Sequence, residues 1–170
     1  KKSIDPFIQK EKFDKLIFSY HGIPKRQAKK TDITGSHCFS SSDCCETICP
    51  GSSDCYRAHT VQASNKVAEK LGLSDSQWEI AYQSRLGPGW LTPFTDKRLT
   101  EMPNKDLKSV LVVCPSFISD CLETLEEIEI RGRETFFNSG GQNMTYIPCL
   151  NDSGDTINLL ESLVLESEIK

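Results

Sequence analysis

The run SVLVVCP, Ser109–Pro115, is apolar at consecutive positions, so as a strand it has no face to offer water. Such a segment belongs at the centre of a parallel sheet covered on both sides. Three other short apolar runs have strand character: KLIFSY (Lys15–Tyr20), WEIAYQS (Trp78–Ser84) and TYIPCL (Thr145–Leu150). Helical stretches separate them. One runs from about Tyr56 to Leu71, with Asp54 as its N-cap, Gly72 closing it, and Val61, Ala68 and Leu71 on one face. A short polar helix starts near Asp96. A longer one starts near Asp120, capped by Ser119, and a last one covers Asp155–Lys170. Strands alternating with helices predict an α/β fold, a parallel sheet with helices on both faces.

A chain of 170 residues suits one domain. Its net charge of −4 argues against nucleic acid as the main partner. No apolar run approaches the roughly 18 residues of a membrane helix, which leaves peripheral membrane contact open. The opening KKSIDPF has no signal-like apolar run after it. The cysteines outside the 38–55 segment sit in strand-like or helix-like contexts, as buried thiols do in reducing compartments, so a cytoplasmic protein is expected.

In a parallel sheet, ligands bind at the carboxyl ends of the strands. Three sequence features fall at that edge: His21 after the first strand, Gln83, Ser84 and the loop with Trp90 after the second, and PSFISDCLETLEE after the third. His21 could take a proton or bind a metal near neutral pH, or could simply serve a tight turn. Glu123 and Glu127, four apart, share a helix face. With Cys121, Leu122, Leu125 and Ile128 as the core stripe, an ideal helix turns both glutamates to solvent. They are then either a solvated acidic face or a carboxylate line leading to a cleft, in which repulsion would keep one protonated near neutral pH. Trp90 and Phe117 are each a core residue or an aromatic wall for a flat ligand.

Taken together, LIFSYHGIPKR, AYQSRLGPGWLTPFTD, VVCPSFISDCLETLEEI and YIPCLND resemble the ferrochelatases, which insert ferrous iron into a porphyrin. The resemblance implies a Rossmann-like, chelatase-like domain over residues 1–170. It would be the C-terminal half of an enzyme whose N-terminal half lies outside this chain and whose porphyrin cleft forms between the two. It implies haem biosynthesis, with protoporphyrin IX and ferrous iron as partners. His21 matches the catalytic histidine and Glu123 the catalytic glutamate, with Glu127 continuing an iron path. Ser84, Trp90 and Phe117 match porphyrin-facing positions. In the family a π-type turn swings these glutamates toward the cleft. Some relatives have histidine where Cys121 stands and glutamate where Arg131 stands, so the acidic line is shorter here. The alternatives are a chelatase for another tetrapyrrole or metal, and a non-enzymatic iron–sulfur sensor or scaffold.

Five cysteines, Cys38, Cys44, Cys45, Cys49 and Cys55, crowd an insert over about residues 31–55. The insert resembles the internal segment that holds a [2Fe–2S] cluster in some bacterial members. Four thiolates complete such a centre. Zinc ranks second because the segment lacks the C-x2-C pair usual in structural zinc sites. Disulfides rank third on compartment grounds. The expected ligands are Cys38, Cys45, Cys49 and Cys55, with Cys44 the spare of the adjacent pair.

Overall fold

The computed structural model describes residues 2–168. Four parallel strands form one sheet: β1 (Lys15–His21), β2 (Trp78–Gln83), β3 (Ser109–Val113) and β4 (Asn143–Ile147). Their spatial order is β2-β1-β3-β4. The doubly apolar β3 is therefore internal, beside β1. Strand order reverses between β1 and β3, which opens a crevice at their carboxyl ends. Parallel register sets His21 beside Gln83 there.

The helices are α1 (Asp5–Lys10), α2 (Lys25–Lys30), α3 (Tyr56–Leu71), α4 (Thr95–Glu101), α5 (Leu122–Thr124), α6 (Arg133–Asn138) and α7 (Gly154–Glu168). A π-helix, Leu125–Gly132, joins α5 to α6. Alternate side chains of the strands feed two cores. Ile17, Ala81, Val110, Val112 and Met144 pack with Leu99, Ile128 and Phe136 from α4, the π-helix and α6. Leu16, Phe18, Tyr20, Tyr82 and Leu111 pack on the other face with Ile4 and with Ala68 of α3. Two hydroxyl pairs pin α3 to this second face, Tyr20 with Ser64 and Thr60 with Tyr82, each at 2.9 Å. α7 leaves Ile157, Leu160 and Val164 exposed. Ile169 and Lys170, expected in that helix, lie outside the described residues.

Several boundaries differ from the sequence reading. β4 runs Asn143–Ile147 rather than Thr145–Leu150, because Asn143 already pairs with Ser109 and Pro148 has no N–H to extend the ladder. β2 stops at Gln83, since Ser84 takes a left-handed φ of 59°. β3 stops at Val113, two residues short of the expected Pro115. The N-cap of α3 is Cys55, not Asp54. The third helical region starts at Leu122, not Asp120. Its cap is Cys121, whose N–H donates to the Thr124 hydroxyl at 2.9 Å, and Ser119 lies outside it.

Of the expected core stripe of that region only Ile128 is buried. Leu122 is 78% and Leu125 41% exposed. The buried positions are Thr124, Ile128, Gly132 and Phe136, every fourth residue. In an α-helix of about 3.6 residues per turn that spacing drifts around the axis. The wider π turn keeps it closer to one line, so the buried face and everything opposite it rotate together. A Cβ on Gly132 would come within 3.2 Å of Leu99 Cδ1 and 3.5 Å of Met144 Cε, so glycine lets this helix lie close on α4 and β4.

Candidate functional site

The end of β1 carries His21. Its main chain is fixed from both sides: the N–H donates to Ser116 Oγ and the C=O accepts from the Tyr56 hydroxyl, both at 2.8 Å. Gly22 follows, donating its N–H to the Gln83 carbonyl at 2.8 Å; a Cβ there would sit 2.8 Å from that oxygen. The imidazole lies with Nδ1 2.7 Å from the Gly22 carbonyl. A carbonyl can only accept, so Nδ1 carries the hydrogen in the neutral ring and Nε2 keeps its lone pair for a proton or a metal.

α5 and the π-helix that continues it turn Glu123 and Glu127 toward this edge. His21, Ser84, Arg85, Leu86, Trp90, Glu123, Glu127 and Arg131 line one open groove of about 430 Å³. The solvated-face reading of Glu123 and Glu127 therefore gives way to the cleft-facing one. Glu127 is held as a bidentate acceptor, taking the Ser84 N–H at 2.7 Å on one oxygen and the Ser84 hydroxyl at 2.6 Å on the other. The left-handed backbone at Ser84 lets one residue aim both donors at one carboxylate. The Glu123 carboxyl lies below its ordinary range, held there by a hydrogen bond from the Cys121 thiol, by its own backbone N–H and by the field of His21. The protonated carboxyl expected from repulsion is thus not Glu123, which is ionised near neutral pH.

Of the site residues named from sequence, the groove gathers His21, Ser84, Trp90, Glu123 and Glu127. Phe117 stands beside it, with its ring 6.0 Å from the His21 ring and its body against the core. Arg85 and Leu86 line the groove and Gln83 lies buried beneath it; sequence reasoning left all three without a role. Arg85 pairs with Asp96 and stacks its guanidinium 4.1 Å above the Phe94 ring, which holds the mouth of the groove in place. Arg131, at the far end, pairs with Glu126 at 2.7 Å.

The cysteine-rich segment runs in turns between α2 and α3, without helix or strand. Asp32 organises its start by accepting from the N–H groups of Thr34, His37 and Cys38 and from the Thr34 hydroxyl. These bonds, the hydroxyl first, hold its carboxyl well below the usual range. All five thiols are free. Cys44, Cys45 and Cys55 are buried together against Ala28 and Ala58. Cys38 neighbours Cys55 and Cys44; burial, then these two thiols, push its pKa up to about 11. The Cys44 and Cys45 sulfurs are 3.7 Å apart, and Arg57 Nη1 lies 3.6 and 3.5 Å from them. Cys49 points elsewhere, with its sulfur 3.6 Å from His37 Nε2 and 3.5 Å from Ser52 Oγ. The Ser52 hydroxyl lowers its pKa. Among the described residues no set of three or more His, Cys, Asp or Glu side chains stands in a ready-made metal-binding array.

A family model described as ferrochelatase matches residues 1–168. Proteins named ferrochelatase are similar throughout: one from Pseudomonas fluorescens (strain Pf0-1) is 42% identical over 95% of this chain and 48% of its own length. One from Ectopseudomonas mendocina is 43% identical over 95% of this chain and 47% of its own. One from Opitutus terrae is 45% identical over 89% of this chain and 44% of its own. The chain spans about half the length of the curated relatives it matches.

Proposed function

Because the chain belongs to the ferrochelatase family, we propose that it is the C-terminal half of an enzyme that inserts ferrous iron into protoporphyrin IX to make haem. The N-terminal half completes the cleft, and the setting is the cytoplasm. The observation that carries this reading is the convergence of the His21 Nε2 lone pair and the ionised Glu123 carboxylate on one groove walled by Trp90. Insertion releases two pyrrole N–H protons and strips water from the iron. His21 accepts a proton at Nε2 and becomes the imidazolium. Glu123 ligates the arriving iron or takes the second proton, and Glu127, fixed by Ser84, is the preceding station on the path in. Trp90 and Phe117 offer flat apolar surface to the ring, and Ser84 stands where a propionate would pass. Among the described residues no helix is long and apolar enough to cross a membrane.

The test is iron insertion into protoporphyrin by the two-half enzyme, beside this chain alone. Turnover by the former and almost none by the latter is expected, because one wall cannot grip and bend a macrocycle. Better turnover with cobalt or another tetrapyrrole, or no porphyrin binding even beside the other half, would overturn the reading in favour of another chelatase or a sensor.

The insert is the proposed seat of a [2Fe–2S] cluster. Free thiols buried together, with a guanidinium offered to two of the sulfurs, match the donors and charge compensation that such a centre needs. The cluster would cross-link a segment that has no regular structure of its own. The proposed ligands are Cys38, Cys45 and Cys55, as in the sequence reading, with a fourth thiol. The geometry favours Cys44 over Cys49 as the fourth. Protein made anaerobically with iron and sulfide should be red-brown and hold about two irons and two sulfides per chain. Serine at 38, 44, 45 or 55 should bleach it and serine at 49 should not. Bleaching at 49 but not 44 restores Cys49 as the ligand, and one tightly held zinc without sulfide rules the cluster out.

A further inference from the structure

Gln83 is only 2% exposed and touches neither the groove surface nor solvent. Its amide is nevertheless wired to the catalytic helix. Nε2 donates to the main-chain carbonyl of Glu123 at 2.6 Å. Oε1 accepts from Ser19 Oγ at 2.7 Å and from Cys114 Sγ at 3.3 Å. Ser19 has one hydrogen, which it gives to Gln83, so the Thr95 hydroxyl, 2.8 Å away, donates to Ser19. The amide has one consistent orientation, because a flip would set oxygen against the Glu123 carbonyl and NH2 against two donors. Ser19, Thr95 and Cys114 are themselves at most 2% exposed. The network spans β1, β2, the residue after β3 and the first turn of α4.

The carbonyl it holds lies at Glu123, one residue before the last residue of α5, where the turn widens into the π-helix. Gln83 and Ser84, consecutive at the end of β2, thus hold the glutamate-bearing helix at two points. Ser84 grips the Glu127 carboxylate and Gln83 grips the Glu123 main chain. We infer that Gln83 is a positioning residue: from beneath the groove it sets where the Glu123 carboxylate stands relative to His21, without touching substrate. The inference rests on the proposed reaction only for its catalytic consequence.

Two variants test it. Gln83→Leu keeps the bulk and removes the donor, and Gln83→Glu can donate to the carbonyl only while its buried carboxyl is protonated. In the two-half enzyme, Gln83→Leu should lower kcat roughly 10- to 100-fold, as supporting contacts of metal sites typically do, with the KM for porphyrin little changed. Gln83→Glu should recover relative to wild type as pH falls, which a merely structural role would not produce. On the present chain, a crystal structure of Gln83→Leu should show the Glu123 main chain and carboxylate displaced relative to the His21 ring. A folded Gln83→Leu protein with unchanged kcat and an unmoved Glu123 would overturn the inference. If the two-half enzyme has no chelatase activity but Glu123 is still displaced in Gln83→Leu, the reaction is wrong and the positioning stands.

Discussion

Replacing His21 with alanine in the two-half enzyme is expected to lower iron insertion by roughly 10²- to 10⁴-fold, the usual span for a positioned acid–base group. The protein should stay folded. The contacts that fix this residue are the N–H to Ser116 and the C=O from Tyr56, and alanine keeps both. What it loses is a ring whose Nδ1 is committed to the Gly22 carbonyl and whose Nε2 is held open for a proton. The measurement is turnover beside a thermal unfolding curve. Near-normal turnover with an unchanged melting transition would remove His21 from the reaction.

Glu123→Gln should be nearly as severe. It keeps shape and hydrogen-bonding capacity but removes the charge that attracts iron or takes a proton. Glu127→Gln should be milder, because the amide oxygen can still accept from the Ser84 N–H while its NH2 donates to the Ser84 hydroxyl oxygen. The pH dependence has a definite sign. A carboxyl whose pKa is depressed stays ionised as pH falls until that lowered value is reached. The Glu123 pKa lies below the ordinary glutamate value of 4.5. Glu123 therefore stays charged down to that region, and any loss of activity on mild acidification belongs to another group. An acid limb at mildly acidic pH that disappears in Glu123→Gln would contradict this.

The parallel sheet was legible because apolar runs such as Ser109–Pro115 have few other places to go. His21 and Ser84 were legible because strand ends in such a sheet meet at one edge. The facing of Glu123 and Glu127 was not. A period of 3.6 read onto LETLEEIEIRG puts Leu122 and Leu125 inside, whereas α5 running into the π turn puts Thr124, Ile128 and Gly132 there instead. Nothing in the apolar pattern announces a wider turn; the sign of it came from the family resemblance. Gln83 was visible as a residue but not as a link, since its partners are 40 and 64 positions away in the chain. The role of Asp32 was hidden for the opposite reason. Its partners are all within six residues, but apart from the Thr34 hydroxyl they are backbone N–H groups that any sequence would offer.

Ser84 combines a φ of 59° with two bonds to one carboxylate. A side chain other than glycine costs roughly 1–2 kcal/mol in that left-handed conformation. Glycine would relieve the strain and keep the N–H, but it has no hydroxyl to complete the grip on Glu127. Hardiness and competence therefore pull position 84 in opposite directions. A screen of variants for heat resistance alone would drift toward glycine there, and would arrive at a sturdier protein whose Glu127 had come unfastened.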